Sequence, residues 1–435
     1  MSNFDLRKKR ELFISNNFIL NNLMKIFKFG GASVKDAESV KNVSMVLSSQ
    51  GFEKCLLVIS AMGKTTNELE KVVEMYFKKD NYQTEIENIK QKHIEIAKGL
   101  FSDDHAVFEE INLFFDDIVS FLRRNKSPNY NFVYDQVVSC GEMISTKIVS
   151  EYLNDIQFTN QWLDARDFIK TDDSYRDGNV NWQKTEEFIS NLNPDICYVT
   201  QGFIGSDDNN FTVTLGREGS DYSAAIFAYC LNATAMTIWK DVPGVMTGDP
   251  RIFKDVTLLS NISYEEAIEM AYFGASVIHP KTLQPLQQKN IPFYVKSFVD
   301  PTKEGTKVGA SEKNQSEESY ILKGDQTLLK ISTRDFSFIA EDHMSLIFNN
   351  LAKYKIKVSL MQNSAISLAL CLEDKFLKIE ELNNELQKIF KTEVIKNVSL
   401  FTVRNAKIEN IDKFYQEKSV LLEQISKNTL QMVTL

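Results

Sequence analysis

Three short segments of this 435-residue chain gather cations, acids and glycines at spacings suited to gripping an anion. The first is Lys28-Phe29-Gly30-Gly31-Ala32-Ser33, an ammonium beside two glycines and just ahead of a helical pattern. Such a turn can set a positive charge and several N–H groups against phosphate oxygens. It is not a Walker loop, because the lysine precedes the glycines and no G-K-[ST] follows. The second, Thr214-Leu215-Gly216-Arg217-Glu218-Gly219-Ser220-Asp221, offers a planar guanidinium suited to a carboxylate. Its Ser220 and Asp221 are also residue types that cap helices. The third runs from Trp239 to Arg251, a strand end entering a loop with Lys240, Asp241, Asp249, Arg251, two prolines and two glycines. Cations and N–H groups of this kind suit phosphoryl transfer, which asks a protein for positioning and charge rather than covalent help. Taken singly, each segment is equally an ordinary turn, cap or surface loop.

Other chemistry finds little support. The cysteines (Cys55, Cys140, Cys197, Cys230, Cys371) are an odd, scattered set without a C-x-x-C pair, and the four histidines lack metal-ligand spacing. Reduced thiols in the cytoplasm are expected, not a disulfide frame or zinc site. Cys140 reads as packing, and His279, in I-H-P, as a helix-start residue. The net charge of −9 disfavours a nucleic-acid partner, so anionic ligands must be drawn by local cations. No apolar run approaches the roughly 18 residues of a membrane helix. The basic patch Arg7 to Arg10 precedes an apolar stretch broken by Asn16, Asn17, Asn21 and Asn22, with no cleavage site, so no signal peptide is expected. Met24 opens M-K-I-F-K-F-G-G like a natural start, and residues 1–23 are expected to be an extension outside the fold.

The elements that must position these segments follow from periodicity. Residues 25–29 form a short apolar strand, followed by a helix burying Val40, Val43, Val46 and Leu47. Leu56 to Ile59 is a continuous apolar run, as in a parallel strand buried on both faces. It ends in S-A-M-G-K-T-T-N before a helix at about 67–78. Two amphipathic helices fill 83–124, and another spans Val137 to Leu153, starting near Ser139-Cys140-Gly141-Glu142. Further strands at 195–200, 211–215, 234–239 and 292–296 alternate with helices, implying an αβα sandwich on a mostly parallel sheet. Ligands in such folds sit beyond the carboxyl ends of the strands. Composition turns polar at 302–319, as in a linker. Beyond it, 326–333, 342–354, 356–361, 366–372, 376–390 and 394–403 give the βαββαβ order of a ferredoxin-like domain. A helix at about 408–415 and strands at 419–424 and 428–434 complete the chain.

Seen together, the motifs resemble the aspartokinases. K-F-G-G-A-S-V at 28–34, S-A-M-G-K-T-T-N at 60–67, S-C-G-E at 139–142, G-R-E-G-S-D at 216–221, the loop at 240–251 and F-G-A-S-V-I-H-P at 273–280 occur in that family's order. The resemblance implies an amino-acid-kinase fold followed by an ACT regulatory region. Its expected division is 24–300 catalytic, 301–322 linker, 323–392 a first ACT domain and 393–435 a shortened second one. It implies ATP-dependent phosphorylation of L-aspartate to 4-phospho-L-aspartate, first step toward lysine, threonine and methionine, with Mg²⁺ carried on ATP. It implies Lys28 and Asp221 as the catalytic pair, Asp221 helping with Mg²⁺. Arg217 takes the α-carboxylate and Glu142 the α-ammonium, while Ser60, Thr66, Phe203 and Ser220 line the substrate. Gly30, Gly31, Ser33, Lys240, Asp241, Met246, Arg251 and Ser276 fall where the family holds ATP. A homodimer through the ACT domains is also implied.

The chain departs from the family pattern at several points. Glu218 stands for a common Gly, Lys240 for Thr, Met246 for Tyr and Ser276 for an ATP-contacting Lys. In the rear region, Ser359 and Ala365 occupy positions where lysine-inhibited members carry acids. Ser359, Gln362 and Asn363 could instead hold a neutral amino acid such as threonine, the alternative being a structural dimerisation domain with no effector. Two alternatives stay open. One is a kinase of the same fold acting on N-acetylglutamate or glutamate, and the other is a catalytically silent amino-acid sensor.

Overall fold

The computed structural model describes residues 24–275, 278–310, 317–407 and 419–435. The expected extension, Ser276 and the helix at about 408–415 lie outside the described residues. The chain forms two compact units that interleave in sequence. The first holds the described residues up to Val245, together with Leu258–Tyr264 and the described part of 278–312. The second holds Met246–Thr257 and the described parts of 265–277 and 313–435.

The first unit is built on an eight-stranded sheet. Its strands are β1 (Lys25–Phe29), β2 (Cys55–Ile59), β3 (Gln161–Leu163), β4 (Tyr198–Gln201), β7 (Ala235–Lys240), β8 (Asn261–Ser263), β9 (Phe293–Ser297) and β10 (Thr306–Gly309). The order is β3-β4-β2-β1-β7-β9-β10-β8, and only the β9–β10 pair is antiparallel. Strands β1 and β2 are almost wholly buried because apolar side chains leave from both faces. A hairpin of β5 (Ile204–Ser206) and β6 (Thr212–Thr214) stands apart.

Helices α1 (Ala37–Gln50), α2 (Thr65–Lys78), α3 (Gln83–Lys98), α4 (Val107–Arg124), α5 (Tyr130–Val138) and α6 (Cys140–Asp155) follow the front strands. They share one core with β1 and β2, into which Val40, Val43, Val46 and Leu47 are fully buried. Later come α7 (Ala165–Phe168), α8 (Trp182–Ile189), α9 (Gly219–Cys230) and α11 (Pro280–Gln288), while α10 (Tyr264–Phe273) belongs to the second unit from Glu265 onward. Helix α9 packs on β1 and β7, and α6 on β4 and β2. His279 accepts the Lys281 N–H and so caps α11.

Two local features differ from the periodicity. The helix expected over Val137 to Leu153 is broken at Ser139 into α5 and α6. Thr306–Gly309, inside the polar stretch, forms β10, with Thr306 and Val308 fully buried. Four residues with one large apolar side chain are too short a signal to stand out.

The second unit carries a six-stranded antiparallel sheet, β12-β13-β11-β14-β16-β15. Strands β11 (Ser319–Ser332) and β14 (Lys391–Arg404) are long and run through both halves of it. With α12 (Glu341–Lys353), β12 (Lys357–Asn363), β13 (Ser367–Glu373) and α13 (Ile379–Leu386) they give the ferredoxin-like order. Strands β15 (Val420–Ser426) and β16 (Thr429–Thr434) extend the sheet. No helix among the described residues is long and apolar enough to cross a membrane.

The two-sided burial of β2 predicts that Leu57→Ala lowers the unfolding free energy by roughly 2–5 kcal/mol. Leu113→Ala, at a position 57% exposed on α4, should change it by no more than about 0.5 kcal/mol. Urea unfolding of both variants checks the contrast.

Candidate active site

Strands β4, β2, β1 and β7 are consecutive and parallel, so their carboxyl ends open on one edge of the sheet. Lys28 is paired in register with Ile238, which puts Lys240, two residues further along β7, on the same face. Asp221, in the first turn of α9, reaches that face from above. Its Oδ1 lies 2.6 Å from the Lys28 Nζ and its Oδ2 3.6 Å from the Lys240 Nζ. The Lys28 and Asp221 side chains are 10% and 4% exposed, so the pair is almost dry. Burial alone would push the Asp221 carboxyl upward, but the two ammoniums overcome it and hold the group below its ordinary value. Asp221 is therefore a fixed anion between two cations.

Around this pair the loops are tied to one another by main-chain bonds. The Ser60 N–H donates to the Phe29 carbonyl (3.1 Å), that of Gly63 to the Gly31 carbonyl (3.0 Å) and that of Gly202 to the Ile59 carbonyl (3.1 Å). Gly31 must be glycine, because a Cβ there would meet the Ala61 carbonyl oxygen at 2.6 Å. Ser33 is buried in the short 3₁₀ turn Gly31–Val34, and its N–H donates to the Gly30 carbonyl. Thr66 stands in the first turn of α2.

Glu142 lies in the first turn of α6 and is 2% exposed. Gly141 lets this helix end approach the loop, since a Cβ would sit 3.2 Å from that of Ala61. The Ser145 hydroxyl donates to the Ser60 carbonyl (2.7 Å), a tie that carries no sequence signal beyond its place one turn after Gly141. Burial pushes the Glu142 carboxyl up to about 8. The N–H groups of Glu142 and Ala61 and the Lys28 ammonium offset only part of that. Its Oε2 is buried without a hydrogen-bond partner. A buried carboxyl with an empty acceptor is costly unless a donor from outside completes it.

Arg217 is exposed at the end of the loop before α9, and no hydrogen bond or ion pair occupies its guanidinium among the described contacts. Glu218 adopts a left-handed conformation (φ 54°), which glycine would accept without strain. Its carboxyl is half-buried and shifted upward by burial and by Asp221. Phe203 is left-handed as well (φ 74°); its N–H donates to the Ser223 hydroxyl, and its ring leaves room only for glycine at 219. Ser220 lies against Gly202.

The remaining expected residues are placed differently. Asp241 is exposed just past β7. Met246 and Arg251 belong to the second unit, where Arg251 is forked onto Asp249 (Nη2–Oδ2 2.6 Å). On β12, the Ser359 hydroxyl donates to Gln326 Oε1 (3.0 Å) and the Gln362 amide to the Glu423 carbonyl (3.1 Å), while Asn363 is exposed. Burial pushes the Cys140 thiol up to about 12, which leaves it a poor nucleophile.

Comparison with known proteins agrees with this architecture. Residues 24–297 match the model of the amino acid kinase family. Lysine-sensitive aspartokinase 3 of Escherichia coli (strain K12) is 32% identical over 393 residues, covering 86% of this chain and 85% of that protein. Aspartokinase 1, chloroplastic, of Arabidopsis thaliana is 30% identical over 424 residues, covering 92% and 72%. The crystal structure of E. coli aspartokinase III in complex with aspartate and ADP superposes with a TM-score of 0.79 at 28% identity, covering 94% of this chain and 96% of that one.

The raised Glu142 carboxyl has a stability consequence. Between the ordinary value of 4.5 and about 8 the folded protein holds a proton that the unfolded chain has lost. This group's contribution therefore falls as pH rises through that window. Glu142→Gln should remove the slope, so its melting temperature relative to the parent rises between pH 5 and pH 9. A difference that stays constant with pH would contradict the assignment.

Proposed function

Because the chain belongs to the amino acid kinase family, and within it to the aspartokinases, we propose that it moves the γ-phosphoryl group of ATP onto the β-carboxylate of L-aspartate, yielding 4-phospho-L-aspartate and ADP. The observation that carries this reading is the almost dry Lys28–Asp221 pair, with the half-buried Lys240 beside it at the end of β7, and a buried Glu142 with one unpartnered oxygen. An aspartate ammonium satisfies Glu142, and the α-carboxylate suits the Arg217 fork. Held at both ends, the molecule leaves its β-carboxylate facing the nucleotide. Ser60, Thr66, Phe203 and Ser220 complete the substrate wall in this reading. Gly30 and Gly31 offer N–H groups and Ser33 its hydroxyl to phosphate, and Lys240 and Asp241 are assigned to ATP.

The chemistry needs no general base. The attacking β-carboxylate oxygen is already ionised when it bonds to the γ-phosphorus, and the bridging bond to ADP breaks without a proton moving. Asp221, held ionised, serves to aim Lys28, whose ammonium meets the charge on the transferring oxygens. No group of three or more His, Cys, Asp or Glu side chains able to hold a metal occurs among the described residues. Mg²⁺ would arrive on the ATP phosphates, with Asp221 and the unpartnered Glu218 Oε2 as candidate carboxylates, and supply charge neutralisation. An N-acetylated substrate would leave Glu142 without a cation, and a silent sensor has no use for the buried cluster.

The second unit is assigned amino-acid sensing on its ferredoxin-like order. Because Ser359 and Gln362 are already bonded within the sheet, Asn363 is the freest of the three expected effector groups. A homodimer through this unit belongs to the same reading.

Trapping the acyl phosphate with hydroxylamine tests the activity. Hydroxamate should form with ATP and L-aspartate; formation only with glutamate or N-acetylglutamate, or none at all, refutes the proposal. Lys28→Ala should lower kcat by roughly 10²–10³. Arg217→Ala should act mainly on the KM for aspartate, by the equivalent of roughly 1.5–3 kcal/mol. Steady-state kinetics separates the two effects.

A further inference from the structure

A buried carboxylate outside the reacting cluster ties together the two segments that carry the substrate clasp. Asp135, on α5, is fully buried. Its Oδ1 accepts the Thr214 hydroxyl (2.7 Å), and its Oδ2 accepts the Thr214 N–H (2.9 Å) and the Arg176 N–H (3.0 Å). Thr214 ends β6, three residues before Arg217, and its carbonyl accepts the Gly178 N–H (2.9 Å). In the other direction, α5 runs through Ser139 into α6, which carries Glu142 seven residues beyond Asp135. The Arg176 guanidinium lies 4.0 Å over the Tyr134 ring and pairs with Glu70 of α2 at 2.8 Å, so the same knot reaches the helix that begins beside Thr66.

The choice of residue matters. Three donors converge on Asp135 from two segments, and a carboxylate is the one side chain of this size that is acceptor on both branches. Asparagine could keep the two N–H bonds on its oxygen and turn its N–H₂ onto the Thr214 hydroxyl oxygen, whereas alanine would leave all three donors without an acceptor. A fully buried anion is costly, and burial pushes Asp135 up to about 6 despite its three bonds. An apolar helix face fixed only by packing would not need that cost.

We propose that Asp135 is a positioning residue that sets the span between Arg217 and Glu142, and so the fit of the amino acid held between them. The proposal rests on the reading of those two residues as the clasp. It places control of aspartate binding in a residue that touches neither substrate. The signal in the sequence was a lone acid within the apolar run V-Y-D-Q-V-V at 133–138.

Kinetics of Asp135→Ala and Thr214→Val, run beside Arg217→Ala, test it. Asp135→Ala should raise the KM for aspartate about tenfold or more, as a small displacement of a gripping group does. The KM for ATP should stay within about twofold of the parent. Thr214→Val, which removes a single hydroxyl bond, should raise the aspartate KM severalfold with the same selectivity, and it decides the matter if Asp135→Ala does not fold. If Arg217→Ala raises the aspartate KM while the folded Asp135 and Thr214 variants leave it unchanged, or raise both KM values alike, the positioning role is overturned. If Arg217→Ala itself leaves the aspartate KM unchanged, the clasp reading fails first.

Discussion

A carboxylate buried between two ammoniums is stable only if three separate stretches of chain deliver their charges to one dry point, and the first unit is organised around meeting that condition. Removing a buried charge from water costs several kcal/mol per ion, recovered only with good geometry. Lys28 comes from the end of β1, Lys240 from the end of the adjacent parallel strand and Asp221 from the first turn of the helix packed on both. Parallel pairing is what makes this possible, because it brings the carboxyl ends of neighbouring strands to the same edge. The register then fixes which side chains share a face.

The same edge holds a deliberately incomplete group. Glu142 is as buried as Asp221 but has no direct ion pair and feels Lys28 only at a distance, so its carboxyl rises where the other falls. Two acids in one cleft thus take different parts, one finished by the protein and one awaiting a ligand's ammonium. The left-handed backbone at Phe203 and Glu218 sits in the same loops, where the surrounding bonds hold residues that would otherwise relax.

The strands buried on both faces, the helix after β1 and the ferredoxin-like order of the rear were legible in the sequence, because each is a local pattern of apolar spacing. The loops carrying charge were legible for a similar reason: lysine, glycine and acid cluster there within a few residues. What spacing could not convey were pairings between distant segments. The stretch 306–309 looks like linker until β9 and β8 are seen beside it. The assignment of Met246–Thr257 to the second unit depends on contacts such as the Tyr320 N–H on the Thr247 carbonyl, 73 positions apart. Asp135 carried no legible role, since its partners Thr214 and Arg176 lie 79 and 41 positions away.

The most direct test of this account is a crystal structure with L-aspartate and a non-hydrolysable ATP analogue bound. The account predicts the aspartate ammonium on the free oxygen of Glu142, the α-carboxylate on Arg217, and the β-carboxylate between the Lys28 ammonium and the terminal phosphate. Aspartate bound away from Glu142 and Arg217, or with its α-carboxylate turned toward the phosphate, would contradict it.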